Sequence, residues 1–553
     1  MSKTASYDVI IIGGGHNGLT CACYLAGAGL KVRVLEKRAI IGGAAVTEEF
    51  HPGFRNSTLS YTVSLLQGRI IADLHLADHG LRIVERPLPN FLPFPDGRCL
   101  RMHADAASLR AEIARYSTRD AARVGDYLAL VARMADTLRG LILAAPPNLG
   151  GGWRAVLAAL GLGRRLSGLG MEGQRDLWEF LTRSAGDLLD DWFESDEVKA
   201  AFGFDSIVGN FAGPYSPGSA YVLLHHAFGE VNGRRGSWGH AIGGMGAISD
   251  ALATEARRRG VDIDTDAAVA EVTVSGDRIS GVVLEDGRRF DARAVASAVN
   301  PALLYGKLVA AAALPEGFRA RMARWKNSSG VLRMNVALSG LPDFSSAPGR
   351  TQQAHHGAGI IIAPSLAYME RGYFDARTLG WSREPVVEVL IPSTLDGSLA
   401  PPGQHVASLF CQYFNPTLPG GQSWDAARDD AADAAITVVD KVAPNFKASI
   451  IARSIHTPLD LERTFGLIGG DIFHGALTPD QLFSARPLLG HADYRGPLKG
   501  LYHCGSGAHP GGGVTGAPGH NAAREMIRDL RHGRTAWAKK NAGLAGLRPD
   551  ALD

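Results

Sequence analysis

The sequence is poor in cysteine and lacks a long apolar run. Five of its 553 residues are cysteines, and none of them forms a CxxC or CxxxxC pair. A disulfide framework and a redox-active cysteine pair are therefore excluded, and a reducing compartment is expected. No stretch reaches the roughly 18 consecutive apolar residues of a membrane span, and the N-terminal apolar run is too short for a signal peptide. We expect a cytoplasmic protein.

The chain also lacks an excess of charge of either sign. Its 57 Lys and Arg residues against 55 Asp and Glu residues give a net charge of +2. This balance argues against a nucleic-acid partner, whose phosphates require an extended basic surface. The histidines and carboxylates show no spacing typical of a metal site, so no metal is expected. Hydrophobic residues make up 46% of the chain, which is enough for a large core and two or more domains.

Glycine, in contrast, is abundant, with 68 residues and no collagen-type period or low-complexity tract to account for them. Glycine is needed where the backbone turns tightly or comes close to another group. The N-terminal segment shows one such place. A β-branched run at 7–12 predicts a buried parallel strand, 13–18 a turn, 19–28 a helix, and 31–36 a second strand, which together make a βαβ unit.

The turn of this unit carries the pattern GxGxxG. Gly13 permits the tight turn, Gly15 lets the backbone approach a pyrophosphate, and Gly18 allows the helix to pack close to the strand. The helix N-terminus, with His16 and Asn17, offers unpaired N–H groups to an anion. Glu36 ends the second strand, where a carboxylate can bind a ribose diol. The sequence therefore predicts a dinucleotide site.

A second glycine pair indicates which dinucleotide binds. The run from Glu36 and Lys37 to Gly42, Gly43 and Ala44 resembles the signature of FAD-binding oxidoreductases of the glutathione-reductase structural type. In that family the glycine pair lies beside the diphosphate and ribitol of FAD. The resemblance implies these cofactor-binding residues: Gly13, Gly15, His16, Asn17, Gly18, Glu36, Lys37, Gly42, Gly43 and Ala44.

The other end of the chain narrows the resemblance. GLYHCGSGAHPGGG at 500–513 is similar to the C-terminal signature of phytoene desaturase-type enzymes, the carotenoid and retinoid oxidoreductases that bind FAD. WGHAIGGMG at 238–246 resembles the block of that family whose following strand passes the adenine. GGDIFHGALTPDQLFSARP and HCGSGAHPGGGVTG resemble the branch of pyridine nucleotide-disulfide oxidoreductase domain-containing protein 2, without the cysteine pair that this name suggests. Further implied cofactor-binding residues are Val269, Gly505, Ser506, Gly513 and Val514.

Two residues depart from the family pattern. Ser506 stands where many such flavoproteins have an Asp that holds the ribitol, and Ala508 stands where the desaturases have Thr. Both changes are compatible with FAD binding, and neither indicates which substrate binds. We expect the loops at 13–18, 42–43, 243–246 and 505–519 to surround one FAD.

The expected fold class is α/β, with a glutathione-reductase-type, Rossmann-like FAD-binding domain, an α+β substrate domain and a helical insertion. The discontinuous FAD-binding domain comprises residues 1–75, 236–300 and 495–553. Residues 76–235 form a mainly helical region that faces substrate or membrane, and 301–494 form the α+β substrate domain.

Histidines are the candidates for catalysis beside the flavin. His509 is the first, because the similar family keeps a histidine there, and a structural role in pinning the glycine-rich loop is the equal alternative. His474 is the second candidate acid or base, and the alternative is that it is a packed histidine near a loop. His503 is expected to be packed. The helix with His225 and His226 is either a pocket wall or core, and adjacent positions on a helix cannot share one metal.

The expected function is dehydrogenation, saturation or isomerisation of a C–C bond in an apolar, isoprenoid- or lipid-like substrate, with hydride transfer to flavin N5. Only one GxGxxG follows a strand, so the acceptor is expected to be oxygen or a quinone rather than a nicotinamide. A flavin amine oxidase on the same fold and a non-catalytic flavoprotein scaffold are the alternatives.

The segment 139–170 has apolar runs flanked by arginines. It suits peripheral contact with the inner face of a membrane, although we favour a helix docked on its own protein.

Overall fold

The computed structural model of the chain describes residues 6–148, 152–327 and 329–545. The strands are β1 (Ser6–Ile12), β2 (Val32–Leu35), β3 (Thr47–His51), β4 (Phe54–Ser57), β5 (Ile83–Glu85), β6 (Asn90–Pro93), β7 (Cys99–Met102), β8 (Glu230–Val231), β9 (Arg234–Arg235), β10 (Gly239–Ala241), β11 (Asp262–Asp264), β12 (Val269–Ser275), β13 (Arg278–Leu284), β14 (Arg289–Ser297), β15 (Val331–Leu338), β16 (Gly359–Ile362), β17 (Trp381–Leu390), β18 (His405–Phe414), β19 (Ile450–His456) and β20 (Leu501–His503).

The helices are α1 (His16–Gly27), α2 (Gly68–Asp73), α3 (Ala106–Ile113), α4 (Thr118–Ile142), α5 (Trp153–Ser167), α6 (Gly170–Thr182), α7 (Ala185–Trp192), α8 (Asp196–Gly203), α9 (Ser219–His226), α10 (Gly246–Arg258), α11 (Pro301–Leu303), α12 (Glu316–Met322), α13 (Leu366–Leu379), α14 (Trp424–Val442), α15 (Pro458–Phe465) and α16 (Ala517–Ala545).

Sheet A contains the parallel strands that the N-terminal pattern predicts, and β13 and β12 extend it with antiparallel pairing. Its order is β11-β2-β1-β14-β13-β12, with β20 beside β14. β1 pairs in parallel with β2 and β14, and β14 pairs in parallel with β20. Three of the β1 residues, Val9, Ile10 and Ile11, are fully buried, because helices such as α1, α10 and α16 cover a sheet of this kind. The predicted α/β fold class is confirmed, while the proposed domain boundaries stay predictions.

Sheet B is a mixed sheet in the order β19-β15-β18-β17-β16-β6-β7. Alternate side chains of β15, among them Leu332 and Met334, share one apolar cluster with Trp424 and Ala431 of α14. Because successive residues of a strand point to opposite sides, the residues between them face the other way, toward sheet A. β6 and β7 join this sheet although they lie inside the range 76–235, which is otherwise mainly helical.

Helix α5 falls in the segment 139–170, and its apolar face is largely exposed. Trp153, Val156, Leu157 and Leu160 are 57–69% exposed. Their spacing places them on one side of the helix. The interpretation as a helix docked on its own protein is therefore wrong for this face. In the part of the chain that the structure describes, no helix is long and apolar enough to cross a membrane.

Arg486 is a buried clamp between two loops. Its side chain is fully buried, and its guanidinium donates hydrogen bonds to the carbonyl oxygens of Phe473, Gly475, Ala476, Gln481 and Ser506. The Cζ atom also lies 5.4 Å from the centroid of the Trp325 ring. Burial lowers the pKa of Arg486 to about 10, so the group stays charged at neutral pH. This one side chain joins loop 473–481 to the glycine-rich loop at 505–514.

Replacing Arg486 by Lys should destabilise the fold strongly. Lysine has a single nitrogen, so several of these buried carbonyls would lose their partner, at an expected cost of about 3 kcal/mol in the free energy of unfolding. Urea unfolding followed by circular dichroism measures this change. The matched control is Arg383→Lys, whose side chain is 75% exposed beside Asp375 and which should leave stability unchanged. Equal midpoints for the two variants would contradict the clamp.

Candidate active site

A cavity of about 580 Å³ is lined by residues of both sheets. The loops that leave β1 and β2 contribute Gly15 and Glu36, while β15, β17 and β18 of sheet B contribute Arg333, Glu388 and Phe410. The carboxyl ends of parallel strands meet at one edge, so the loops after β1 and β2 open onto the same space. The volume is in the usual range for a ligand site.

The three glycines of the first loop have different roles. Gly13 has φ +98°, which other residues rarely adopt, and a Cβ on Gly18 would lie 2.1 Å from the Gly13 carbonyl oxygen. Gly15 has φ −73° and ψ 169°, and a Cβ there would lie 3.7 Å from the Gly42 carbonyl oxygen, an ordinary contact. The protein itself thus needs glycine at 13 and 18. At Gly15, the missing side chain leaves room in the cavity.

Glu36 is held at the end of β2 by two backbone donors. Its Oε2 accepts from the Gly14 amide at 2.8 Å and its Oε1 from the Arg38 amide at 3.0 Å. Each oxygen keeps a further lone pair for a ligand hydroxyl. Lys37 also lines the cavity and donates from Nζ to the Arg463 carbonyl at 3.3 Å.

The second glycine pair lies directly against the first loop. The Gly42 amide donates to the Gly14 carbonyl at 2.9 Å. A Cβ on Gly43, where φ is +56°, would lie 3.2 Å from Cα of Gly15. Gly43 and Ala44 line the cavity, whereas Gly42 supports the loop from outside the lining. Two separate sequence signatures therefore form one backbone cradle.

The cluster at 243–246 is placed differently from expectation. None of its residues lines the cavity. The Gly246 amide donates to Oγ1 of Thr47 and the Met245 amide to Oγ of Ser57, both at 2.9 Å. The start of α10 thus binds the segment that follows the second glycine pair, one layer behind the cavity. The prediction that this cluster surrounds the cofactor is wrong, because its amides are used to fix that segment.

The C-terminal loop completes the lining. Asn17, at the start of α1, donates from Nδ2 to Oγ of Ser506 at 3.1 Å. Of the remaining candidates, Val269, Gly513 and Val514 line the cavity, as does Ser506. Gly505 lies behind them, since a Cβ there would be 2.3 Å from the Ala298 carbonyl oxygen.

Several polar atoms around the cavity are buried and have no hydrogen-bond partner in the protein. They are both ring nitrogens of His16, Oδ1 of Asn17 and Nη1 of Arg38. Helix α1 also begins at His16 without a side-chain cap, so the positive end of its dipole is available to an anion. Buried polar groups are normally paired. A ligand with a diphosphate and a ribose fits these groups, and FAD has both.

His474 lines the cavity, in a loop held by Arg486. Its Nδ1 is buried without a protein partner. Burial lowers the pKa of His474 to about 3, with the positive charge of Arg486 as a second cause. The ring is therefore neutral at physiological pH.

His509 does not line the cavity. Its Nε2 lies 3.1 Å from the Leu141 carbonyl oxygen, and its ring packs edge-on against Phe483. This geometry supports the alternative in which His509 pins the glycine-rich loop. His503 is buried on β20 outside the lining, and His226, on α9, is part of the cavity wall.

The sheet B part of the lining carries charged groups that sequence reasoning missed. Tyr61 donates from its hydroxyl to Oε2 of Glu388 at 2.6 Å, and Arg86 lies 3.8 Å from the other carboxylate oxygen. Asp205 faces the same part of the cavity, and burial raises its pKa to about 7. Cζ of Arg333 lies 4.4 Å from the centroid of the Tyr61 ring.

One signal could have found this group. Every residue of β15 is buried, yet Arg333 and Asn335 break its apolar run at alternate positions. A buried strand with polar residues on only one of its two faces indicates that this face borders a polar space.

Comparisons with known proteins agree with this geometry. The family described as flavin containing amine oxidoreductase matches residues 18–332. The rat protein named pyridine nucleotide-disulfide oxidoreductase domain-containing protein 2 is 42% identical over 95% of this chain and 94% of its own length. The phytoene desaturase (lycopene-forming) of Pseudescherichia vulneris is 27% identical over 94% of this chain and 99% of its own.

A solved structure shows the same fold. An oxidoreductase from Methanosarcina mazei superposes with a TM-score of 0.60 at 17% identity, over 95% of this chain and all of the other. The resemblance to phytoene desaturase-type oxidoreductases and the FAD cofactor are thereby confirmed. The chain belongs to the flavin containing amine oxidoreductase family and is an FAD-dependent oxidoreductase.

Proposed function

We propose that the protein oxidises, saturates or isomerises a C–C bond of an apolar, isoprenoid- or lipid-like substrate. The observation that carries this proposal is the apolar middle of the cavity. The residues that form it are Leu59, Leu65, Phe204, Val208, Ile472 and Phe473. Burial of a hydrocarbon against such side chains supplies the binding energy. The relative named phytoene desaturase, which matches nearly the whole chain, supports the same substrate class.

The residues of the chain would position this substrate and handle its proton. Bound FAD supplies a hydride acceptor at N5. The apolar side chains exclude water and hold the reacting C–H bond in place. His474 is neutral and has an unpaired Nδ1, so it can take up the proton that leaves with the hydride. Its low pKa makes His474 a weak base at neutral pH, so it would hold that proton only transiently.

The charges of the cavity argue against an amine substrate. An ammonium group on the sheet B side would meet the guanidinium groups of Arg86 and Arg333, which repel it. Glu388, the carboxylate that could attract it, already accepts a hydrogen bond from Tyr61. Oxygen or a quinone is proposed as the electron acceptor, since a single dinucleotide-binding loop serves FAD.

The outer face of α5 supports a proposal about location. Trp153, Val156, Leu157 and Leu160 form an exposed apolar stripe, and Arg164 and Arg165 follow at the end of the helix. An apolar stripe with adjacent basic residues is typical of a helix that lies in a membrane interface. We propose peripheral binding to an anionic bilayer, from which an apolar substrate could be drawn.

Anaerobic mixing of the FAD-loaded protein with a panel of isoprenoids, fatty acyl compounds and amines tests the reaction. Bleaching of the flavin absorbance near 450 nm is expected with isoprenoids or lipids and not with amines. Reoxidation by air or by a soluble quinone then identifies the acceptor. His474→Asn should slow bleaching by about 100-fold or more, with His503→Asn as the control. Bleaching by amines alone would overturn the proposal.

Replacing Gly15 by Val should abolish FAD retention without unfolding the protein. The backbone at this position suits any residue, and the new side chain would occupy the space of the diphosphate. The flavin content of the purified protein and its thermal unfolding measure the two effects. Gly317→Val, on the exposed side of α12 with no atom within 4 Å of the added Cβ, is the control. A yellow Gly15→Val protein with an unchanged spectrum would refute this cradle.

The membrane proposal predicts that a triple variant with Val156, Leu157 and Leu160 changed to Ser binds anionic vesicles at least about tenfold more weakly, because it loses apolar burial. Co-sedimentation with phosphatidylglycerol vesicles measures this. Leu379→Ser, at a 47% exposed apolar residue of α13, is the control. If wild-type protein stays in the supernatant at low salt, α5 does not bind membranes.

A further inference from the structure

Arg333 is a fully enclosed guanidinium with unused hydrogen-bond donors. It lies on β15, between β19 and β18 of sheet B, is 1% exposed, and lines the cavity. Its Nη2 donates to Oγ of Ser408 at 2.7 Å. Its Nε and Nη1 are buried and have no partner in the protein. An arginine cannot lose its proton to escape this situation.

Aromatic rings cover the flat face of the Arg333 guanidinium, whereas the N–H groups of Nε and Nη1 at its edge lack hydrogen-bond partners in the protein. The ring of Tyr61 covers the guanidinium face at 4.4 Å, with Phe410 at 5.7 Å, and such contacts stabilise a cation. They leave the in-plane N–H groups free. The tyrosine hydroxyl bonds Glu388 instead of competing for these donors. Leaving a buried charged donor unpaired is costly, so a ligand group is expected there.

The balance of charge in this part of the cavity indicates the sign of that ligand group. Arg86 and Arg333 contribute two positive charges and Glu388 one negative charge. Asp205 stays largely protonated below pH 7, since burial raises its pKa to about 7. His226 is neutral, because burial lowers its pKa to about 4. At most one positive charge is therefore left without a counter-charge when the cavity holds no anion, and it is left in full only while Asp205 is protonated.

We infer that Arg333 binds a carboxylate of the substrate, which makes the substrate an apolar acid. This inference rests on the proposed function and narrows it. A carboxylate carries one negative charge, and its oxygens accept strong hydrogen bonds from guanidinium N–H groups such as those of Nη1. The apolar middle of the cavity then receives the hydrocarbon chain of the acid. Arg333 accordingly determines how far the hydrocarbon chain of the substrate extends along the cavity.

A carboxylate fits better than a diphosphate. A diphosphate brings at least two negative charges into a space that also contains Glu388 and Asp205, and only one positive charge is uncompensated. Desolvation of the excess charge would oppose binding. A neutral ester or alcohol could accept a hydrogen bond from Arg333 but would leave its positive charge without a counter-charge.

The first experiment compares ligands on the wild-type, FAD-loaded protein. Dissociation constants are measured from the perturbation of the flavin spectrum for palmitate, methyl palmitate, farnesoate, methyl farnesoate and farnesyl diphosphate. Acids should bind about 10- to 100-fold more tightly than their methyl esters, as expected for a charge-assisted hydrogen-bonded pair, and farnesyl diphosphate should bind weakly. The two acids distinguish a fatty acid from an isoprenoid acid. Equal affinity for acids and esters would overturn the inference.

The second experiment locates the effect at Arg333. Arg333→Gln should remove the preference for acids and leave ester binding unchanged. Arg333→Lys, which keeps the charge but not the planar set of N–H donors, should retain part of the preference for acids. Arg383→Gln makes the same change at an exposed arginine outside the cavity lining and is the control that keeps the full preference. If Arg333→Gln loses FAD while the other variants keep it, Arg333 serves the cofactor and the inference fails.

Failure of the inference and failure of the proposed function can be separated. Calorimetric titration of acid and ester reports the preference for acids whether or not the flavin is reduced. A protein that prefers acids but whose flavin no isoprenoid or lipid bleaches would refute the reaction and retain the carboxylate site. A protein whose flavin is bleached equally by an acid and by its ester would refute the carboxylate site and retain the reaction.

Discussion

The fold around the flavin site depends on one buried cation, Arg486. Loop 473–481 and the glycine-rich loop at 505–514 contribute His474, Ser506 and Val514 to the cavity, yet neither loop contains an α-helix or a β-strand to hold it. The guanidinium replaces that structure by bonding carbonyl oxygens of both loops at once. Carbonyl groups left free by irregular backbone need partners when they are buried. A single planar group with five donors meets this need for two segments at the same time.

The sequence predicted the FAD cofactor but not the charged groups on the sheet B side of the cavity, for a physical reason. At Gly13, Gly18 and Gly43 the constraint is local, because a positive φ or a close backbone approach admits one residue type. At Arg333 and Glu388 the constraint comes from strands that are distant in the sequence and meet only in sheet B. The cluster at 243–246 shows the limit of local signals. Its glycines also permit close approach, but to Thr47 and not to a ligand.

The cavity has two polar ends with different origins. At one end, backbone amides and the start of α1 offer partial positive charge to a diphosphate, which suits a cofactor that stays bound. At the other end, Arg333 and Glu388 stand on strands of sheet B, and Arg86 lies beside Glu388. Apolar side chains such as Leu59 and Phe473 line the same cavity.

The contact between Asn17 and Ser506 has a consequence for biosynthesis. The cradle needs residues near the start of the chain and residues near position 514. Asn17 and Ser506 are 489 positions apart in the sequence. A ribosome releases the N-terminal loops first, so the nascent chain carries an unfinished cradle through almost all of its synthesis. FAD can then be captured only after translation is nearly complete. Any truncation that removes β20 and α16 should leave a chain that never acquires its cofactor, however well its N-terminal part folds.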